Sequence, residues 1–464
     1  MSGPRKVSDA VAKRAIPILL TVFVLSLVID NAFKYVNQPI ADSLNISLNT
    51  AGLQATIPGI LIGIGAVVYS ALSDAVSIRK LMIIAIILVA IGSVIGFAFQ
   101  GSWPIVLAAR IIQTTGLAAA ETLYVVFVTK HFTGDRQKTY LGFSTAAFQL
   151  SLLLGVVGGG FVATYISWPV LFLIALAPLL ALPVVMKTVP EEETTSSSMD
   201  VFGLFLVAIV AGGFIMFLQN FMWAYLVAAV VAVALFAWHI SHHENALITP
   251  AFFANKQYTL VLVVVLILYS VQLGYTVTFP VLMRELHGYA EAQSSLMLIP
   301  GYICAILVGI LSGNIAKVLK THTAIMIAML MITGALLLPA FVVDAGNWVY
   351  ILSMTMFPAG FALMYAPLVS TAVRRIPAEN SGIAIGFYNL TINMAIPIGI
   401  AYSLRLLSQN LQFMGGFASP EGTPFASVLL ILGVIAAAAF LLYLAVSKIL
   451  HSDDPATTSP TSIH

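Results

Sequence analysis

Read for its hydrophobic and polar positions alone, the chain is a series of long apolar runs cut by short polar breaks. Fourteen runs approach the roughly 20 residues that a membrane-crossing helix needs. They are 15–38, 51–72, 81–99, 103–128, 139–164, 168–187, 201–218, 221–239, 257–280, 293–316, 323–342, 347–371, 381–407 and 425–447. Only Gln219 and Asn220 separate the seventh run from the eighth. Trp223 stands near that break, which suits a hairpin with an interfacial aromatic. Polar connections at 188–200 and 240–256 flank the hairpin. The pattern predicts an all-α polytopic bundle of 14 helices arranged 6 + 2 + 6. Its parts are a first half at 1–187, an insert with linkers at 188–256, a second half at 257–447 and a polar, disordered tail at 448–464.

Composition sharpens this picture. Of 464 residues 60% are hydrophobic and 8% charged, with a mean hydropathy of +1.02. Soluble proteins are about a quarter charged, so this is an integral membrane protein. The lone Cys304 excludes an internal disulfide framework and most thiolate metal sites. The run after Arg14 is too long for a signal-peptide core and is read as the first span. With 14 spans, sixteen Lys/Arg residues fall on the face that holds both termini and only Arg284 on the other. That bias puts both termini in the cytoplasm of a cell-membrane protein.

Charges inside spans are costly and mark function by default. Four stand out: Asp30, Lys34, Arg110 and Glu121. Asp30 and Lys34 are four residues apart and share a helix face. At about 1.5 Å per residue, Asp30 lies roughly 22 Å from Ala15, and Arg110 about 10 Å from the opposite surface near Trp103. The two are therefore at similar depth. Glu121, eleven residues after Arg110, returns to within about 20° of the same face and about 16 Å deeper. That face makes a ladder for a proton or a cation. Structural alternatives stand beside it: Lys34 as a snorkelling cation with Asp30 as companion, Arg110 as a clamp between spans, Arg405 as an interfacial anchor. Asn31, Gln149, Tyr269, Gln272, Tyr275, Asn389 and Asn393 are candidates to line a cavity, or to hydrogen-bond between helices. Pro58, Pro300, Pro358 and Pro397 are compatible with bent helices. His239, His242, His243 and Glu244 match no zinc-ligand spacing and read as a solvated helix end. There is no zinc motif, nucleophile elbow or phosphate loop, so an enzyme is not expected, nor a resident metal or cofactor.

The segment Ser70-Ala-Leu-Ser-Asp-Ala-Val-Ser-Ile-Arg-Lys80 places Asp74, Arg79 and Lys80 in a short turn between two spans. It resembles the loop-2/3 signature of the major facilitator superfamily, with Ser70 and Ser77 where two glycines are usual. Arg110-Ile-Ile-Gln113, followed by Gly116, looks like the family's second motif, and the resemblance gives Arg110 a role in proton transfer. Gly155-Val-Val-Gly-Gly-Gly160 is similar to its antiporter motif, with Val156 in place of the proline. Fourteen spans, and the pair Asp30 and Pro39, resemble the drug:proton antiporter branch with a central two-helix insert. Within it, 26–34, 62–70, 116–124 and 381–393 are similar to Gram-positive tetracycline efflux pumps of the staphylococcal chromosomal type.

The resemblance implies the major-facilitator fold and proton-coupled export of tetracycline or similar cationic, amphipathic drugs. A divalent metal would travel only as part of a drug chelate. Asp30 and Glu121 would attract the cation and be neutralised as protons arrive, with Arg110 setting the balance between their two forms. Asp74, Arg79 and Lys80 would form a cytoplasmic gate. The expected partners are the substrate, protons and the bilayer, with no nucleic acid, for a monomeric protein. Rival readings are a fatty-acid or lipid exporter, a proton symporter, which Val156 favours, and a receptor that binds without flux.

Overall fold

The computed structural model describes residues 9–34, 36–46, 48–191, 200–220, 222–243, 255–289, 291–377 and 381–451. Among these, 12 helices are long and apolar enough to cross a membrane, or 13 if one bent pair counts as a single span. Most of both connections around the central hairpin, Glu244 and nearly all of the tail lie outside the described residues.

In the first half, α1 (Asp9–Lys34) is followed by the short α2 (Asn37–Leu44), then α3 (Leu48–Ala75), α4 (Ile78–Ala98), α5 (Trp103–His131) and α6 (Gly134–Tyr165). The first run was expected to continue to residue 38; it stops at Lys34. Pro39 has no N–H to donate and its ring clashes with the preceding turn of a continuous helix, so it is accommodated in the first turn of a new one. The turn after α3 is shorter than the apolar pattern indicated. Only Val76 and Ser77 separate the two helices, and Ser77 caps α4 by accepting from the Lys80 amide. The sixth span is broken into α7 (Val170–Ile174), a 3₁₀ turn (Ala177–Ala181) and α8 (Leu182–Thr188). Pro178 and Pro183 each sit at the start of a new piece, where a missing donor costs least.

The central pair, α9 (Val201–Asn220) and α10 (Trp223–His242), forms two separate helices packed on each other. The described apolar stretch of α9, Phe202–Phe214, is shorter than a full span. The second half holds α11 (Lys256–His287), α12 (Glu291–Leu296), α13 (Ile299–Ile310), α14 (Ser312–Val318), α15 (Thr321–Phe341), α16 (Asn347–Val373), α17 (Ser381–Ser408) and α18 (Thr423–His451). The run at 293–316 is not one straight helix, since α13 and α14 meet at 64°.

The halves join along two seams, α3 against α17 and α6 against α13, and α9 touches both helices of the first. Beside the α6–α13 seam, a Cβ on Gly142 of α6 would collide with Ser312 Oγ at the start of α14. Only glycine permits that approach, at the end of the bundle that carries the α3–α4 turn.

Candidate functional site

Two polar groupings emerge, and α5 contributes to both. The first is a charged cluster buried within the first half. Asp30 and Arg110 are each 1% exposed, with Arg110 Nη2 3.5 Å from Asp30 Oδ1. Lys34 Nζ, one turn above Asp30 on α1, lies 2.7 Å from Asp30 Oδ2. It also donates to Asn31 Oδ1 at 3.1 Å. The Arg110 guanidinium spreads its donors over several acceptors. Its Nε donates to Gln54 Oε1 at 3.2 Å, its Nη1 to Gln113 Oε1, and its Cζ lies 4.0 Å from the centroid of the Phe33 ring. Gln113 in turn donates to Ser93 Oγ at 2.9 Å. Gln54 donates to the Phe33 carbonyl at 2.6 Å and to Asn37 Oδ1 at 2.7 Å. Two buried charges persist only when paired and hydrogen-bonded on their remaining sites, and α1, α3, α4 and α5 meet that requirement here.

Glu121 is the second focus. It opens on a cavity with about 440 Å³ of empty space, part of it open to solvent. Ser144, Thr145, Phe148 and Gln149 of α6 line it from the first half. Tyr269 and Gln272 of α11, Phe361 and Tyr365 of α16, and Ile392 of α17 line it from the second. Glu121 is the one charged residue in that wall, and among the described residues it forms no ion pair. Tyr269 and Phe361 stand edge to face, with ring centroids 5.1 Å apart. A second cavity, with about 370 Å³ of empty space, shares Gln149, Gln272 and Phe361 with the first. A polar anchor in a wall of aromatic and amide side chains is the arrangement of a small-molecule site.

The sequence candidates thus separate. Asp30, Lys34, Arg110, Gln113 and Asn31 come together in the charged cluster, while Glu121, Gln149, Tyr269 and Gln272 come together around the cavity. Tyr275 is not in that wall; its hydroxyl is 2.7 Å from Ser353 Oγ inside the second half. Asn389 is buried, and Asn393 donates to its carbonyl at 2.9 Å. The helix-terminal charges take a partner that sequence reasoning missed: Glu191, 2.8 Å from Lys80 Nζ and 3.6 Å from Arg79 Nη1. Its hydrogen bond and ion pair with Lys80, with Arg79 adding less, hold the Glu191 carboxyl below its ordinary range. The side chain of Asp74 lies outside the described set. Gln54, Ser93 and Phe33 were missed too. His239 corrects the solvated reading at one position, for it is 4% exposed and its Nε2 lies 2.8 Å from Asp200 Oδ1, at the start of α9, whereas His242 and His243 are exposed.

A two-halved bundle of membrane-crossing helices, closed around a cavity with a single carboxylate, is the architecture of a membrane transporter rather than an enzyme. The chain belongs to the major facilitator superfamily, whose family description matches residues 18–400. It is 23% identical over 398 residues to the multidrug resistance protein Stp of Mycobacterium tuberculosis (strain CDC 1551 / Oshkosh), covering 82% of this chain and 73% of that one. It is 25% identical over 387 residues to the quinolone resistance protein NorB of Staphylococcus aureus (strain MRSA252), covering 78% and 81%. Among solved structures it resembles the human organic anion transporter MFSD10, with a TM-score of 0.64 at 14% identity over 93% of this chain and 99% of that one. The proton:xylose symporter XylE gives 0.62 at 17% identity over 94% and 95%. At these identities the two structures speak for the fold alone.

Proposed function

We propose that this protein is a proton-coupled efflux transporter that exports tetracycline or similar cationic, amphipathic drugs by alternating access. The observation that carries the reading is Glu121, a lone carboxylate opening on an aromatic cavity to which both halves contribute. A carboxylate there binds either a cationic drug or a proton, which is the exclusivity antiport requires. The printed names of the two bacterial relatives, multidrug resistance and quinolone resistance, support a drug-like substrate. In this reading α9 and α10 are a two-span insert, giving 14 spans, and both termini face the cytoplasm of the cell membrane. The seam at Gly142 is then the closed cytoplasmic end. Asp74, Arg79 and Lys80 form the cytoplasmic gate, with Glu191 the partner of Lys80 and Arg79. A divalent cation enters only as cargo in the drug chelate, and the transport unit is the monomer.

The test is tetracycline accumulation into inverted membrane vesicles with an imposed pH gradient and magnesium. Uptake that collapses with a protonophore and in Glu121→Gln is expected. Uptake undiminished in Glu121→Gln contradicts the site. No uptake by folded protein, with palmitoleate transported instead, favours the lipid exporter, and drug movement in the same direction as protons favours the symporter.

A further inference from the structure

The polar atoms of α6 beside Glu121 have acceptors to spare and few donors. Ser144 and Thr145 are buried in the cavity wall, and both hydroxyls donate to the Leu141 carbonyl, at 2.6 and 3.4 Å. With those protons committed, each oxygen has only lone pairs left to offer the cavity. One turn further along α6, Gln149 is 2% exposed and its Oε1 has no hydrogen-bond partner. A buried carbonyl in that state is costly unless whatever enters the cavity donates to it. The Glu121 carboxylate, when ionised, is a further acceptor in the same wall. Gln149 also stands where the two cavities meet, since it lines both. Beyond it the second cavity is walled by Leu152, Leu273, Leu298, Met354 and Phe357, which suit an apolar body.

We infer that Gln149 is a specificity residue that reads an N–H donor on the cationic head of the substrate. The site then takes protonated amines and rejects permanently charged cations whose nitrogen carries only carbon. The inference deepens the efflux reading and rests on Glu121 being the cation site. A protonated amine has one N–H for the Glu121 carboxylate and another for Gln149 Oε1, while its apolar body enters the second cavity. A trimethylammonium head carries the same charge and no N–H. Its methyl groups leave Gln149 Oε1 buried against carbon, which is how a polar site excludes an analogue that lacks a donor. The aromatic side chains of Tyr269 and Phe361 pull the other way, because ring faces suit quaternary ammonium. A ring face attracts either cation, however, whereas the unmet acceptor penalises only the methylated one.

The probes are naphthylmethylammonium and its N,N,N-trimethyl derivative, both cationic at neutral pH, with Kd measured on the purified full-length protein. Wild type is expected to bind the ammonium at least tenfold more tightly than the trimethyl compound. Gln149→Met keeps the chain length without the acceptor and is expected to bring the two Kd values within about threefold of each other. Equal affinities in wild type, or tighter binding of the trimethyl compound, overturn the inference. A preference that survives intact in folded Gln149→Met comes from closer approach to Glu121 alone and overturns the role of Gln149. If Gln149→Met fails to fold, Gln149→Asn, which withdraws the carbonyl by one methylene, is expected to shrink the preference, and an unchanged preference there overturns it equally. Glu121→Gln is expected to lose both probes. A Glu121→Gln protein that binds both as wild type does, or a folded wild type that binds neither, sinks the cation site itself.

Discussion

The two halves satisfy their buried polar groups in different ways. The first half buries formal charges: Asp30 and Arg110 pair beneath Lys34, and Glu121 faces the cavity. The second half uses neutral groups. Tyr258 donates to the Ala384 carbonyl at 2.7 Å, Gln257 to the Thr371 carbonyl at 2.9 Å, and Tyr275 is bonded to Ser353. Aromatic edges fill the space between them, as where Tyr275 meets Phe357 at 5.0 Å. A buried charge responds steeply to a proton or a cation, and a neutral hydrogen bond hardly responds at all. The comparison puts the groups that answer to charge in the first half and those that set shape and packing in the second, with the cavity as their common wall.

The sharpest way to break this division is to change one residue from each half in that wall. Glu121→Gln is expected to reduce drug transport to the level of vesicles without the protein. Gln272→Leu, across the cavity on α11, is expected to weaken apparent drug affinity by about tenfold or less while transport continues. Equal losses would erase the distinction.

Stability gives the next largest contrast. Arg110→Met leaves the buried Asp30 carboxylate with only the half-exposed Lys34 as partner and strips Gln54 and Gln113 of a donor, and is expected to destabilise by at most about 3–5 kcal/mol. Part of that returns when Asp30→Asn is added, because the buried charge that has lost one of its two cations is then gone. Tyr275→Phe removes one neutral hydrogen bond and is expected to cost about 1 kcal/mol. Thermal unfolding of the purified proteins, with the double variant included, checks all three.

The smallest effect belongs to the exposed pair at the helix ends. Glu191 is held below the ordinary glutamate value of 4.5 by Lys80 and Arg79. A depressed carboxyl contributes its attraction fully above that ordinary value and loses it as pH falls through the lowered one. The ion pair is therefore intact at neutral pH and lost only in acid. Salt weakens an exposed pair of this kind. Glu191→Gln should leave the unfolding temperature almost unchanged at pH 7 and abolish the salt dependence of any conformational signal placed at the α3–α4 turn. A large stability loss at neutral pH would show that the pair also holds the fold together.

Much of this was legible in the apolar pattern. The long helices are visible because each needs a run of about 20 apolar residues, and Asp30, Arg110 and Glu121 are conspicuous because charges there are rare. The helix ends were less legible. Whether a helix stops at Lys34 or continues to residue 38 depends on how the backbone accommodates Pro39, and the apolar pattern does not record that. Gln54 was invisible for another reason. A single amide in an apolar run looks like ordinary interhelical glue, and only the approach of α3 to α5 makes it an acceptor for Arg110. Glu191 sits in an acidic linker whose contact with Lys80 exists only once the helix ends converge. Spacing along α5 put Arg110 and Glu121 on one face, yet the helices around them divide that face between a sealed cluster and an open cavity.

The central claim is that Glu121 exchanges a proton for the drug. It is tested most directly by following proton release from purified protein in weakly buffered solution as tetracycline and magnesium are added. The account predicts a drug-dependent release in the wild type and none in Glu121→Gln protein of equal stability. Release of the same size from Glu121→Gln would contradict it.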